Sequence, residues 1–307
     1  MSQNLLVVGS VAYDDVETPT AAKKDLLGGS ATYSSIAASH FTRPQLVGVV
    51  GNDFKDSDRA LLDSHGINLN GLETDSSGDT FRWGGKYHKN MNERSTLYTH
   101  LNVFEHFQPQ IPDEYANSRY VFLGNIAPEL QCQVLSQVRG TELVGLDTMN
   151  FWITGRREAL AEALKQIDVL IVNDEEAELL TKESTLLVAA ESLQTLGPRT
   201  VIIKRGEHGA FLFNDDDVFH VPAFPVATVC DPTGAGDSFA GGFMGWLSRT
   251  GDLSPENMRR AIVLASVTAS FCVEGFGTQS LSNLSPDALK QRYRSFEKLT
   301  QCPELKL

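Results

Sequence analysis

The stretch DPTGAGDSFAGGFMG at 231–245 sets a glycine-rich turn and two aspartates ahead of a glycine-spotted helix. Gly234, Ala235 and Gly236 carry almost no side-chain bulk, so their N–H groups can approach a phosphate closely. A helix that begins there adds unpaired N–H groups and the positive end of its dipole. An isolated aspartate at a helix start is usually a cap, but a cap needs no surrounding glycines. Here they continue as Gly241, Gly242 and Gly245, each disfavoured inside a helix by about 1 kcal/mol relative to alanine. Such a helix face can pack tightly or admit a ligand. Asp237, beside an anion hole, suits removal of a proton from a hydroxyl while the hole holds a phosphoryl group in transfer. Phosphoryl transfer is mainly positioning and charge stabilisation, so these parts are nearly sufficient for it. The chain has no G-x-x-x-x-G-K-[ST] loop and no G-x-G-x-x-G after its first strand, which argues against a P-loop enzyme and a nicotinamide dehydrogenase.

The elements that must carry this turn are legible as alternation. Apolar runs LLVVGS (5–10), QLVGVVG (45–51), YVFLGNI (120–126), LVGLDT (143–148), VLIVND (169–174) and TVIIKRG (200–206) read as strands. Helical patterns lie between them at 30–41, 128–138, 157–166, 174–180 and 185–197. Strands nearly continuous in Val, Leu and Ile are covered on both faces. The order predicts an α/β fold: a doubly wound, mostly parallel sheet flanked by helices. Two segments break the alternation. Residues 11–28 are polar and contain Pro19, and residues 79–104 alternate at Phe81 and Trp83, then at Leu97, Thr99 and Leu101. Gly84-Gly85 reads as a two-residue hairpin turn between these runs. Both segments are expected to leave the main sheet and build a small β-sheet lid on what is otherwise one α/β domain over 1–307.

The formal charge of −13 lacks the basic footprint of a nucleic-acid or anionic-membrane binder. No apolar run is long enough to span a bilayer, and MSQN runs straight into a strand-like segment with no signal-peptide pattern. Cys132, Cys230, Cys272 and Cys302 are widely spaced, as free thiols in a reducing compartment would be. The expectation is a cytoplasmic enzyme with a small-molecule substrate.

DPTGAGDSFAGGFMG is similar to the C-terminal signature of the ribokinase-like (PfkB) family of carbohydrate and nucleoside kinases. LLGGSATYSSIAAS (26–39) and LVGVVGNDFKDSDRALLDSHGIN (46–68) resemble its N-terminal signature, so the likeness runs over essentially the whole chain. It implies ATP and Mg2+ as cofactors and an alcohol as phosphoryl acceptor. Position by position, Asp237 matches the catalytic base, and Gly234, Ala235 and Gly236 the anion hole. Asp231 and Thr233 fall where many members bind a monovalent cation such as K+. VNDEEAELL (172–180) resembles the family's N-x-x-E motif, so Asn173 and Glu176 would organise Mg2+ through water; by chemistry alone the run reads as a solvated acidic helix start. KRGEHGA places Lys204, Gly206 and Gly209 near the nucleotide, and SFCVEGFGTQS places Gly275 and Gly277 beside the adenine. On the acceptor side, Asp14 matches an aspartate that bonds substrate hydroxyls, Gly28 and Gly29 a Gly-Gly pair close to the acceptor, and Asn150 part of a D-x-N segment shared with Asp147.

One departure bears on the acceptor. The family's sugar kinases usually carry Asn four residues after the second glycine, where this chain has Tyr33. Tyr offers one hydroxyl and a large apolar face, leaving room for a stacked ring such as a nucleoside base or for an altered polyol pocket. The lid residues Arg82, His88, Asn90, Asn92 and Arg94 each read first as solvated surface, with reach toward the acceptor left open. Three functions are therefore carried forward: a sugar or polyol kinase first, a nucleoside kinase second, and a catalytically idle ligand sensor on a kinase scaffold last. An exposed lid edge could pair with that of a second copy, so a homodimer through the lid is a candidate assembly.

Overall fold

The computed structural model describes residues 4–215 and 217–301, and Cys302 lies outside the described residues. The strands, in chain order, are β1 (Leu5–Val8), β2 (Ala12–Glu17), β3 (Ala22–Gly28), β4 (Pro44–Val50) and β5 (Asn68–Thr74). They continue as β6 (Phe81–Tyr87), β7 (Arg94–His100), β8 (Tyr120–Leu123) and β9 (Leu143–Asp147). The last are β10 (Val169–Asn173), β11 (Thr200–Lys204), β12 (Ala210–Asn214) and β13 (Asp217–Val221).

Nine of these strands form one sheet in the order β13-β12-β11-β10-β9-β8-β1-β4-β5. Pairing is parallel from β11 through β5, while β12 and β13 run antiparallel at one edge. The period-2 geometry of a strand divides each one between two cores. Leu5 and Val7 join the core on one face, Leu6 and Val8 the core on the other. Every residue of β1, β4, β8 and β9 is buried, as continuous apolar runs require. Among the described residues, no helix is long and apolar enough to cross a membrane.

The glycines of the 231–245 stretch find their explanation in helix packing. The helix Ala235–Thr250 lies against the helix Ser30–Ser39 on one side and Pro255–Cys272 on the other. A Cβ at Gly241 would collide with the Ser34 carbonyl, and one at Gly245 would sit 2.8 Å from the Ala38 Cα. Gly242 gives the same clearance to the other helix, where a Cβ would lie 3.2 Å from the Ala265 Cα. Of the two uses open to this helix face, the structure shows tight packing.

The second sheet has four strands in the order β3-β2-β6-β7, drawn from the two segments that broke the alternation. The expected hairpin turn at Gly84-Gly85 is corrected: both glycines lie inside β6, and the chain reverses through residues 88–93. Their reason is aromatic. A Cβ at Gly85 would run into the Trp83 ring on the same face, and one at Gly84 into the Tyr98 ring on the other. The bulge recorded between these glycines, where Gly84 opposes Tyr98 and Gly85 opposes Thr96, sits at the same spot.

Candidate active site

Acceptor-side geometry starts at β1. After Val8 the chain turns through Gly9 and Ser10, and Ser10 is laced to the start of the Ser30–Ser39 helix. Its carbonyl accepts from Ala31 N at 2.9 Å, its Oγ from Ser30 N at 3.0 Å, and its own N–H bonds Ser30 Oγ at 3.1 Å. Gly29, with φ of +93°, would drive a Cβ into the Ser10 carbonyl. Gly28 makes room for Asp14, whose carboxylate occupies the place a Cβ would take. Gly28 thus seats Asp14, and Gly29 clears the Ser10 turn. This carboxyl is 4% exposed, and no hydrogen bond reaches it from the described residues. Burial, then the charges of Asp231 and Asp237, push it up to about 8, against an opposing pull from Arg94.

On the donor side, Asp231 ties two loops together. Its Oδ1 accepts from Thr233 N at 2.8 Å and its Oδ2 from Gly277 N at 3.1 Å. Gly277 adopts φ of +56°, and Gly275 gives space to Ser280. Gly234 follows in the left-handed region, with φ of 74°, and a Cβ there would collide with the Tyr33 ring. Tyr33 is 1% exposed, and its hydroxyl, without a hydrogen-bond partner among the described residues, is pushed well above the usual phenol range by burial and by Asp14. Of the two uses left open for Tyr33, a stacked ring or an altered polyol pocket, the first does not fit this structure, because the ring is buried with Gly234 packed against it.

The N–H groups of the anion turn divide. Ala235 donates to the Pro232 carbonyl at 3.1 Å and Ser238 to the Gly234 carbonyl at 2.8 Å, whereas Gly236 and Asp237 lie in the first helical turn with no other backbone acceptor among the described residues. Of the three positions expected to form the hole, Ala235 therefore has its amide already engaged in this state. Lys204 Nζ stands in front of Gly236, 3.0 Å from where a Cβ would be.

Lys204 ends β11 and lies 3.8 Å from Asp147 Oδ1 at the end of β9. Burial works against its ammonium, but Asp147, Glu176 and Asp237 outweigh that and raise its pKa. Burial raises Asp147 in turn, against the Lys204 charge and the N–H of Thr148 at 2.9 Å. Asp237 is pushed up to about 7, first by burial and then by Asp147, with Lys204 and Arg94 opposing. A carboxyl with that pKa would suit a general base near neutral pH, where proton transfer is most effective.

Asn173 and Glu176 close a capping box on the helix Asp174–Thr181: Asn173 Oδ1 accepts from Glu176 N and Glu176 Oε2 from Asn173 N, both at 2.8 Å. Glu176 is 8% exposed and pushed up to about 7, by burial first, with Lys204 opposing and Asp147 adding. The solvated-helix-start reading therefore fails for Glu176. Its second oxygen takes no hydrogen bond from the described residues and belongs to the same cluster as Lys204 and Asp147. No three His, Cys, Asp or Glu side chains among the described residues converge to cage a metal. The donor set suits Mg2+, which keeps water and phosphate oxygens as most of its ligands.

Gly206 (φ +52°) and Gly209 (φ +87°) bracket a tight turn after β11. The small sheet lies over this side of the site. A Cβ at Gly206 would meet the Asn92 carboxamide at 2.7 Å, and the Tyr87 hydroxyl meets Thr233 Oγ1 at 3.1 Å. Asn150 is not joined to the cluster; it is exposed at the start of a short helix, its carbonyl accepting from Thr154 Oγ1 at 2.8 Å. Two members of the site were underweighted in the sequence. Asp147 carries a usable signal, an acid at the carboxyl end of a parallel strand, where open α/β sheets bind ligands. Arg94 carries none, because its place depends on how the small sheet folds over the main one.

A model of the "pfkB family carbohydrate kinase" matches residues 3–285. The chain belongs to that family. It is an ATP-dependent phosphotransferase with an alcohol group as acceptor. A nucleoside kinase of Methanothermobacter thermautotrophicus is 30% identical over 308 residues, 94% of this chain and 95% of that protein. A cytidine kinase of Thermococcus kodakarensis is 29% identical over 80% of this chain and 89% of its own length. The solved ribokinase of Arabidopsis thaliana, complexed with ribose and ATP, shares the fold with a TM-score of 0.77 at 22% identity, over 96% of this chain and 99% of that one. The idle sensor is set aside by this membership.

Proposed function

We propose that this kinase phosphorylates a hydroxyl on the sugar of a nucleoside, ahead of a free sugar or polyol. The observation that carries the reading is the register of the small sheet. Asp14 and Trp83 are cross-strand partners of β2 and β6 and therefore share a face. A buried carboxyl lacking a partner among the described residues can bond vicinal hydroxyls. The indole beside it, backed by Gly85 on one face, would give its other face to a heteroaromatic ring once the Arg94 guanidinium now lying over it moves toward the phosphates. The names of the two relatives that span most of the chain agree with this order. A free sugar is the second reading, favoured by the family's description and by the ribose-bound fold neighbour.

In this reading the acceptor hydroxyl gives its proton to the Asp237 carboxylate as its oxygen bonds the γ-phosphorus. The bond from that phosphorus to the β,γ-bridging oxygen breaks, releasing ADP. The N–H groups of Gly236 and Asp237 and the Lys204 ammonium face the charge carried by the phosphoryl oxygens. Asn173 and Glu176 would hold Mg2+, which when bound neutralises phosphate charge. A monovalent cation beside Asp231 and Thr233 would add to the hydrogen bonds that already hold that turn. The small sheet serves as a lid that excludes water, the competing nucleophile.

The test is ADP release with cytidine, inosine, adenosine, ribose, deoxyribose and fructose as acceptors. At least one nucleoside should exceed every free sugar in kcat/KM by about tenfold or more, equivalent to about 1.4 kcal/mol of transition-state discrimination. A free sugar that matches or exceeds all nucleosides would reverse the order.

A further inference from the structure

We infer that Arg94, on the small sheet, is a catalytic residue: its guanidinium closes on the γ-phosphoryl group once acceptor and nucleotide are both in place. This inference needs only phosphoryl transfer to some hydroxyl and stands whichever acceptor proves correct.

Strand register fixes where Arg94 faces. It opposes Tyr87 across β6 and β7, so the two side chains leave the sheet on the same face. The Tyr87 hydroxyl reaches Thr233, the residue before the left-handed Gly234, at 3.1 Å. That face therefore looks onto the anion turn. The guanidinium lies over the Trp83 ring, 5.5 Å from its centroid, and the ring in turn lies where a Gly85 side chain would be. Gly85, Trp83 and Arg94 form a stack that aims a cation from an exposed strand. On the opposite face Arg82 is spent on Asp25 and Asp53.

The charge balance of the cleft says what that cation is for. Asp14, Asp147, Glu176, Asp231 and Asp237 surround the site. Among the described residues of the main body, Lys204 is the one ammonium at the site, and it already faces Asp147. A nucleoside triphosphate brings further negative charge to the same place. Arg94 forms no ion pair with a carboxylate among the described residues, and its charge reaches both halves of the site, pulling down the carboxyls of Asp14, Glu176 and Asp237. The turn that precedes it touches the donor side, with Asn92 against Gly206. A guanidinium presents several N–H donors in a planar fork that matches phosphate oxygens. Held on a separate sheet, it can be delivered by closure of that sheet.

The experiment compares Arg94→Gln and Arg94→Lys with the wild type, using whichever acceptor the panel identifies. Arg94→Gln should lower kcat by about a hundredfold or more, with its ATP dissociation constant, measured without acceptor, within about threefold of wild type. Arg94→Lys should recover part of the rate. The acid limb of the pH–rate profile should move to higher pH in Arg94→Gln, because Asp237 and Asp14 lose a stabilising positive charge. A kcat within about threefold of wild type, or an equal loss of acceptor-free ATP affinity, overturns the role. A second measurement is independent of the acceptor. Wild type should gain thermal stability from ADP, Mg2+ and aluminium fluoride beyond that from ADP and Mg2+, and Arg94→Gln should lose that increment. An Arg94→Gln protein that keeps it counts against the inference. A wild type that shows neither turnover nor the increment refutes phosphoryl transfer itself, and this role with it.

Discussion

Two glycine clusters border the cleft, and they do different work. In the Ala235–Thr250 helix, Gly241 and Gly245 let one backbone rest on another, and the partners are the carbonyl and Cα atoms of the Ser30–Ser39 helix. In β6, Gly84 and Gly85 let aromatic rings lie flat on a strand. The first cluster is part of the platform that holds the anion turn still. The second belongs to the sheet that brings Trp83, Tyr87 and Arg94 over it. A glycine inside a regular element marks close approach in both cases. Whether the approaching body is backbone or side chain sets how much of the molecule feels a substitution.

The sharpest way to break this comparison is at the chemistry between the two. Asp237→Asn should lower kcat by about a thousandfold while ATP titration finds binding nearly unchanged; near wild-type turnover would remove Asp237 as the base. Next comes the backbone contact. Gly241→Ala should destabilise the whole protein by about 1–3 kcal/mol, the usual range for overpacking, read as a lower denaturant midpoint at unchanged slope. Gly85→Ala displaces a ring rather than a backbone, so its stability should stay within about 1 kcal/mol of wild type while kcat falls with the shifted Trp83 and Arg94. If Gly85→Ala unfolds as readily as Gly241→Ala, the two clusters are not distinct.

The smallest expected effect concerns pH. Asp14 and Asp237, raised to about 8 and about 7, hold more protons in the folded than in the unfolded chain once pH passes the ordinary carboxylate range. Stability from these groups is thus complete at low pH and declines as pH rises through those values. Asp14→Asn should therefore raise the thermal midpoint by a few degrees at pH 8 and by less at pH 5, with loss of acceptor binding. Activity should run the other way, rising with pH along a limb near 7 as Asp237 ionises, with apparent values that belong to the coupled carboxylates jointly.

Much of the main sheet was legible because its signals are local. LLVV, VLIVN and TVIIK are strands by their own composition, and PELQCQVLSQ is a helix by its spacing and its proline start. The 231–245 stretch pointed to an anion site because a Gly-Ala-Gly turn opening a helix presents unpaired N–H groups. The hairpin was misplaced for a physical reason. A Gly-Gly pair signals a turn when only its backbone freedom is considered, and the competing use, clearance for Trp83 and Tyr98, needs the partner ring in view. The packing of Tyr33 was hidden likewise, since its neighbour Gly234 is 201 residues away along the chain.

By itself the sequence determined the doubly wound α/β architecture, the presence of a second small sheet and the class of reaction, since each is written in residue type and short spacing. Tertiary structure alone decided which carboxylates share a field, why Lys204 stays charged among them, where Tyr33 turns its ring, and that Arg94 faces the anion turn. Those outcomes depend on charges and surfaces brought together from β2, β7, β9, β11 and the Ala235–Thr250 helix. Burial and Coulomb interaction act on distance in space, which spacing along the chain does not encode.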